Sequence, residues 1–274
     1  MGSASATEML TLIVILLRFT DIQVNLSVPR RFAFRTLWKG HPMLFFLLLS
    51  TVLTLCIAGT SAAADNQLTD AEKEAGWQLL FNGKDLTGWR CNNDKPIATK
   101  IEQGSLVPYQ SGGYLIIHED QFDDFILKCD VRWEDPRCNS GIFFRVGDPR
   151  DPVNTSFEAQ VMAGGGTGKH AMGAIYDLVG PSKAAGRPNG EWNSAEITCQ
   201  GPEISVKING ELVSAMNCDA FDQPGVCPDG QPHKFKLNGQ PRAIKDFARS
   251  GYLGFQDHGH KVWYKNVKVL ALKK

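Results

Sequence analysis

The sequence predicts an all-β protein, a two-sheet antiparallel sandwich or jelly roll, and three observations carry that prediction. Apolar residues recur at every second position through several short segments, the pattern of strands with one buried face. Gly, Pro and Asn turns separate those segments, as in sandwich folds. No long helical period interrupts them. A closed barrel is the alternative architecture. No propeller repeat is visible, and nothing after Leu272 could form a second domain.

The elements follow in order. Asp65 to Gly76 is polar, carries Glu72, Lys73 and Glu74, and reads as a linker or a short helix ahead of the domain at residues 77–272. Phe81 to Trp89, F-N-G-K-D-L-T-G-W, places Asn82-Gly83 and Thr87-Gly88 between two aromatics, a tight entry to the β fold. Phe125, Leu127, Cys129, Val131 and Trp133 alternate with polar residues or with Ile126, which makes a strand. Ile142, Phe144 and Val146 alternate with Gly141, Phe143 and Arg145, while Phe157, Ala159 and Val161 alternate with Glu158 and Gln160. Ile204, Val206 and Ile208 run into Asn209-Gly210 and out through Leu212, a hairpin signature. Leu253 and Phe255 alternate with Gln256 and His258, and Val267, Val269 and Ala271 close the chain. Leu127, Val131, Ile142, Phe144, Val206 and Leu253 are expected in the core.

At 274 residues, with 43% hydrophobic and 21% charged residues, the chain can bury a large core in one domain. Basic and acidic residues both number 29 and form no basic stripe, which argues against a nucleic-acid partner. The apolar run Met43 to Gly59 follows Arg30, Arg31, Arg35 and Lys39 and precedes Ser61 and Ala62 to Ala64, the three-part pattern of a signal peptide. Residues 1–64 are therefore expected to be an amino-terminal extension and signal peptide cleaved near Ala64. The mature protein would be exported, periplasmic or extracellular, with no membrane attachment. The apolar run is short for an anchor, and Leu55 precedes Cys56 where a lipoprotein signal needs a small residue. A second apolar run, Met9 to Leu17, does not belong in a signal peptide, and initiation at Val28 would account for it. Cleavage removes five basic and two acidic residues, leaving 24 against 27 and a net charge of −3. Six of seven cysteines remain in a compartment that permits disulfides, and Cys218 with Cys227, around Pro224-Gly225, is the first expected pair.

If the apolar face of each strand enters the core, the alternate face of one sheet carries Arg145, Glu158, Gln160, Gln256 and His258. An arginine, a carboxylate, two amides and an imidazole form a polar set unlike an ordinary wet surface. Other signals are weaker. Ala163 to His170, A-G-G-G-T-G-K-H, lacks the first glycine and the final Ser or Thr of a phosphate loop and reads as a flexible loop over the sheet. No metal site and no cofactor are expected, with a divalent metal at His258-Gly259-His260 the alternative. His118, His170 and His233 read as surface or loop histidines. Trp89, Trp133 and Trp263 could stack on sugars, although Trp133 alternates with core residues.

Five segments in order, N-S-G-I-F-F-R at Asn139 to Arg145, F-E-A-Q at Phe157 to Gln160, G-A-I-Y at Gly173 to Tyr176, G-E-W-N at Gly190 to Asn193 and G-F-Q-D-H-G at Gly254 to Gly259, resemble the 3-keto-disaccharide hydrolase domain family. The opening string Phe81 to Trp89 resembles it too. The resemblance spans about residues 77–272 and implies a concanavalin A-like sandwich acting on a carbohydrate. The cysteines and the Pro- and Gly-rich segment Asp219 to Arg249 depart from the family pattern, and specificity could differ there. It further implies cleavage of glycosides already oxidised to a ketone at C3, where the ketone acidifies the C2 proton and sets the C1 leaving group up for elimination, followed by hydration. Such chemistry needs a base, an enolate stabiliser and an acid for the departing oxygen. The expectation is His258 or Glu158 as base, Arg145 as enolate stabiliser, and Gln160, Asn193, Gln256, Tyr176 and Asn139 as substrate-binding groups. Ordinary two-carboxylate hydrolysis fits less well, since only Glu158 stands out, with Glu196 and Asp257 as seconds. The competing class is a non-catalytic, lectin-like carbohydrate-binding module. Amino-terminal sequencing of the exported protein should begin at or beside Asp65, and a start upstream of Met43 would remove the signal-peptide reading.

Overall fold

In the computed structural model, which describes residues 64–273, the described residues form thirteen strands, and the period-two segments are among them. The extension, the signal peptide and its start lie outside the described residues. In chain order the strands are β1 (Gln78–Leu79), β2 (Trp89–Cys91), β3 (Leu115–Phe122), β4 (Phe125–Trp133), β5 (Asn139–Val146), β6 (Phe157–Met162), β7 (Asn193–Gln200), β8 (Glu203–Ile208), β9 (Glu211–Asn217), β10 (Lys236–Leu237), β11 (Gln240–Pro241), β12 (Gly251–Gln256) and β13 (Val262–Ala271). Two short helices, α1 (Asp70–Glu74) and α2 (Pro152–Thr155), complete the regular structure with two single-turn 3-10 segments. A six-stranded sheet in the order β1-β13-β4-β7-β8-β9 faces a five-stranded sheet in the order β2-β3-β12-β5-β6, and β10 and β11 form a separate hairpin. All named pairings between strands are antiparallel. The expected sandwich is therefore present, and Leu127, Val131, Ile142, Phe144, Val206 and Leu253 are all buried in one cluster drawn from both sheets.

The aromatic-pinned turn forms as its sequence requires. Asn82 Oδ1 accepts hydrogen bonds from the amides of Lys84 and Asp85, and the Trp89 indole donates to the Leu80 carbonyl at 2.7 Å. Gly88 has φ +82° with His118 Nε2 only 3.2 Å from where a Cβ would stand, so both conformation and space select glycine. Asn209 and Gly210 adopt φ values of 52° and 82°, the left-handed pair of a tight hairpin between β8 and β9. Residues 65–76 lie against β13: Asn66 and Asn266 exchange hydrogen bonds between backbone amides and side-chain oxygens, and Lys265 and Lys268 pair with Asp65 and Glu72. Thr69 and Glu72 form a capping box at the start of α1.

Bulges change the simple alternation at two places that matter. Between β5 and β12, Tyr252 faces Val146 but Gly254 faces Phe143, so Phe144 and Arg145 share one partner position. Arg145 takes φ +49°, its side chain turns into the interior, and Val146 moves to the opposite face beside Phe143, Leu115, Ile117 and Tyr252. The outward Arg145 expected from alternation is thus corrected. Between β8 and β9 a second shift exposes Leu212 and gives its core position to Val213.

Inside, Arg145 is fully buried. Its Nη2 pairs with Asp124 at 3.0 Å, its Nε donates to the Asp123 carbonyl and its Nη1 to the Gly201 carbonyl. The cysteine expectation is also corrected. All six cysteines in the described residues are free and buried. Cys227 receives a hydrogen bond from Lys169 Nζ at 3.4 Å, whereas Cys218 packs near Arg249, Arg145 and Cys199, so the two thiols occupy different surroundings. Arg145→Met should lower the free energy of unfolding by about 3 kcal/mol, as expected when a buried pair loses one partner. Urea denaturation checks this, and an unchanged midpoint would refute the clamp.

Candidate active site

Directly paired residues on antiparallel strands share a face. The pairs Phe143 with Glu158, Gly141 with Gln160, Gly254 with Phe143, Ile117 with Gly254 and Leu115 with Gln256 therefore place all eight side-chain positions on the outer face of the five-stranded sheet. Two of them are glycines. A Cβ on Gly141 would stand 2.0 Å from Glu158 Oε1, so the carboxyl lies flat over that glycine. Gly254 admits no Cβ either, with Ile117 Cγ2 at 2.8 Å. Glycine backbone at two positions thus leaves room among the apolar Leu115, Ile117 and Phe143 and the polar Glu158, Gln160 and Gln256.

Glu158 is buried at 9% exposure. Loss of solvent raises its pKa from the ordinary 4.5 to about 8, and the Lys234 charge opposes that rise. No hydrogen bond from the described residues reaches its carboxylate. Tyr114 leaves part of its ring open at 37% exposure, yet its hydroxyl is enclosed; burial and, secondarily, Glu158 push that hydroxyl up to about 12. Gln256 Nε2 donates to the Tyr114 oxygen at 2.5 Å, which leaves the phenol proton available as a donor. Gln160 Nε2 donates to Asn139 Oδ1 at 2.7 Å. The remaining amide oxygens, Gln160 Oε1 and Gln256 Oε1, are buried without a partner. Such orphaned acceptors are costly unless a ligand supplies donors.

Beside β6, the Tyr176 amide donates to the Glu158 carbonyl at 2.9 Å, which ties Tyr176 to the site. Its ring stacks on His170 at 4.7 Å and carries Lys234 Nζ 4.1 Å from its centroid. His170 Nε2 lies 3.2 Å from Asp177 Oδ1, and Asp177 Oδ2 accepts the Lys234 amide at 2.7 Å. β6 then leads into the loop of Gly164, Gly165 and Gly166, which walls a cavity of about 480 Å³ with Met172, Gly186 and Arg187. Among the described residues no three His, Cys, Asp or Glu side chains converge so as to hold a metal ion.

Sequence comparison decides the family. The 3-keto-alpha-glucoside-1,2-lyase-like domain matches residues 76–270. The chain belongs to this family. A Bacteroides thetaiotaomicron protein named 3-keto-disaccharide hydrolase is 25% identical over 233 residues, covering 72% of this chain and 79% of its own. Two crystal structures of provisionally named glycosyl hydrolases from Parabacteroides distasonis share the fold. One is 26% identical with a TM-score of 0.62, covering 72% of this chain and 99% of its own. The other is 28% identical with a TM-score of 0.60, covering 77% and 100%.

Within this member of the 3-keto-alpha-glucoside-1,2-lyase-like family, Glu158, Gln160 and Gln256 lie on the outer face where alternation put them, and Asn139 and Tyr176 lie beside them. Three expected residues do not join them. Arg145 is turned into the core by the β5 bulge. Asn193 sits at the start of β7 in the other sheet, where its oxygen accepts the Arg187 amide and Asn209 Nδ2 and its nitrogen donates to the Glu191 carbonyl. His258 lies beyond the end of β12, exposed in the turn that Asp257 closes by accepting the Gly259 amide. The alternation that placed it beside Gln256 ends with the strand.

Other readings change too. His118 is buried edge-on against Trp89 at 5.2 Å, and His233 is buried with both ring nitrogens unpartnered. Trp89, Trp133 and Trp263 are buried, with Trp133 bonded to Asn189 and Trp263 to Glu102, and the aromatics beside Glu158 are instead Phe143, Tyr114 and Tyr176. Of the second carboxylates, Glu196 pairs with Lys128 and Lys207 on the far sheet, and Asp257 accepts the Gln110 amide. Tyr114 and Lys234 were missed. Tyr114 precedes its strand, and Lys234 lies in an irregular loop, so neither carries a periodic signal.

The raised pKa of Glu158 has a definite effect on stability. Between its unfolded value near 4.5 and its folded value of about 8 the folded state holds the extra proton, so stability is lost as pH rises through that window. Glu158→Gln should therefore be more stable than the native protein, by on the order of a few kcal/mol above pH 8 and with little difference below pH 4.5. Thermal melts across pH check this, and equal melting temperatures at pH 8.5 would contradict it.

Proposed function

We propose that this protein is an exported enzyme that cleaves 3-keto-glycosides, with Glu158 as the base that removes the C2 proton. The observation that carries the reading is a buried carboxyl free of hydrogen bonds, laid over a glycine floor and flanked by two orphaned amide oxygens. A base is most effective when its pKa lies near the working pH, and at pH 7 about a tenth of Glu158 would be ionised and more basic than an ordinary carboxylate.

The bonding changes follow from the ketone. The C2 proton passes to Glu158, and the C–H electron pair forms a C2=C3 enolate with its charge on the former ketone oxygen. That pair then returns to form C1=C2 as the C1 oxygen departs with a proton. Glu158, now protonated, or the Tyr114 hydroxyl supplies it. Water adding across C1=C2 completes a net hydrolysis. The family description, a 1,2-lyase, and the relative's name, a hydrolase, support the two halves of this sequence. Gln160 Oε1 and Gln256 Oε1 would accept from sugar hydroxyls, Asn139 would hold Gln160, and Tyr176 would border the ring.

Incubation of the purified domain with a 3-keto-glucoside and its unoxidised parent, with and without chelator, tests the reading. Turnover of the ketone alone is expected. Glu158→Gln should lower kcat by about a hundredfold or more, while His258→Ala should stay within a few-fold. Binding of both sugars without turnover would identify a lectin-like module, and loss of activity in His258→Ala would return the base to that residue.

A further inference from the structure

The outer face has lost the cation that the chemistry needs, because Arg145 is committed to Asp124 inside the sandwich. Another cation reaches the same face by a route outside the sheet. The segment from Asp219 to Arg249 packs through Phe235, which meets Phe247 edge-on at 5.6 Å, and Phe247 in turn meets Phe157 at 5.3 Å. Phe157 is the residue before Glu158, so this aromatic chain seats the loop against the strand that carries the carboxyl. Lys234, next to Phe235, then lies over the Tyr176 ring at 4.1 Å, with its backbone amide bonded to Asp177.

We infer that Lys234 is the catalytic cation of this site, stabilising the enolate oxygen formed when Glu158 removes the C2 proton of a 3-keto sugar. This rests on the reading of the site given above. Lys234 forms no ion pair with any described carboxylate, and its ammonium is held by the face of Tyr176, a seat that positions charge without neutralising it. Among the described residues, the groups that face Glu158 include Tyr114 ahead of β3, Phe143 and Gly141 on β5 and Tyr264 behind the sheet, and the cation whose charge acts on it is Lys234. In the step itself the C–H pair moves onto the ketone oxygen, a full negative charge develops there, and the ammonium offsets it before the pair returns to expel the C1 oxygen. No oxidant or further reactant enters.

The test compares Lys234→Met, Lys234→Arg and Glu158→Gln, using turnover of a 3-keto-glucoside, exchange of its C2 hydrogen in D2O, and the carboxyl titration of Glu158 followed by carbon NMR in the ligand-free protein. Lys234→Met should lose about a hundredfold in kcat and in C2 exchange with a smaller change in KM, and its Glu158 midpoint should move up. Lys234→Arg should recover most of both, since Arg also stacks on an aromatic face. Lys234→Met with turnover within a few-fold of native, beside an inactive Glu158→Gln, would overturn the role of Lys234 and leave Glu158 standing. Full activity in Glu158→Gln would instead overturn the reading of the site. Loss in Lys234→Met with an unmoved Glu158 titration and no recovery in Lys234→Arg would mark a structural effect and overturn the proposal.

Discussion

The pairing of the buried Arg145 with the half-buried Asp124 is the contact on which the arrangement of the two sheets depends. Arg145 leaves β5 in the five-stranded sheet, crosses the interior and binds the β3–β4 turn through Asp123 and Asp124 and the β7–β8 turn through Gly201. Asp124 also accepts the Gly201 amide at 2.9 Å, so one carboxylate and one guanidinium lock three chain segments. A buried charge needs this full set of partners, because each ion removed from water carries a large desolvation cost. The bulge that aims Arg145 inward also shifts the face of β5: Gly141 and Phe143 stay outward and Val146 joins them. The same backbone irregularity therefore makes the inter-sheet clamp and fixes the edge of the candidate cleft.

That cleft is built from unfavourable parts. A carboxyl without hydrogen bonds and two unpartnered amide oxygens weaken the folded state, and the clamp and the apolar interior offset them. The rigidity behind the floor is visible in the packing. Phe255 stacks on Tyr264 at 4.1 Å and on Trp89 at 5.5 Å, and the Tyr264 hydroxyl meets the Ser140 hydroxyl, which also donates to the Gln256 carbonyl. Ser140 thus holds the end of β12 beside β5 just beyond Phe255, the last residue of their pairing. Gln256 is thus fixed from behind by its carbonyl while its side chain stays on the outer face beside Tyr114.

The irregular loop between β9 and β12 shows how such a site is completed from outside the sheet. Its aromatic residues pack onto the start of β6, and its polar residues meet the Tyr176 turn. Loops of this kind change freely at their tips while a few buried anchors keep their position. Here the anchors are Phe235 and Phe247, which pack against each other and, through Phe247, against Phe157.

The sequence by itself determined the architecture, most of the core and half of the cleft. Period-two alternation is a local property, so Leu127, Ile142, Phe157 and Leu253 could be assigned to the interior, and Glu158, Gln160 and Gln256 to the opposite face, without any tertiary information. Alternation fails wherever the backbone departs from an extended strand. The left-handed Arg145 inverts its own side, β12 ends before His258, and Asn193 belongs to the far sheet, facts set by register and by which strands pair. Only the tertiary structure decided that the cation at the cleft comes from residue 234, more than seventy residues from Glu158 in the chain. Proximity across that distance is created by side-chain packing between a loop and a strand end, and no periodic pattern in the sequence records it.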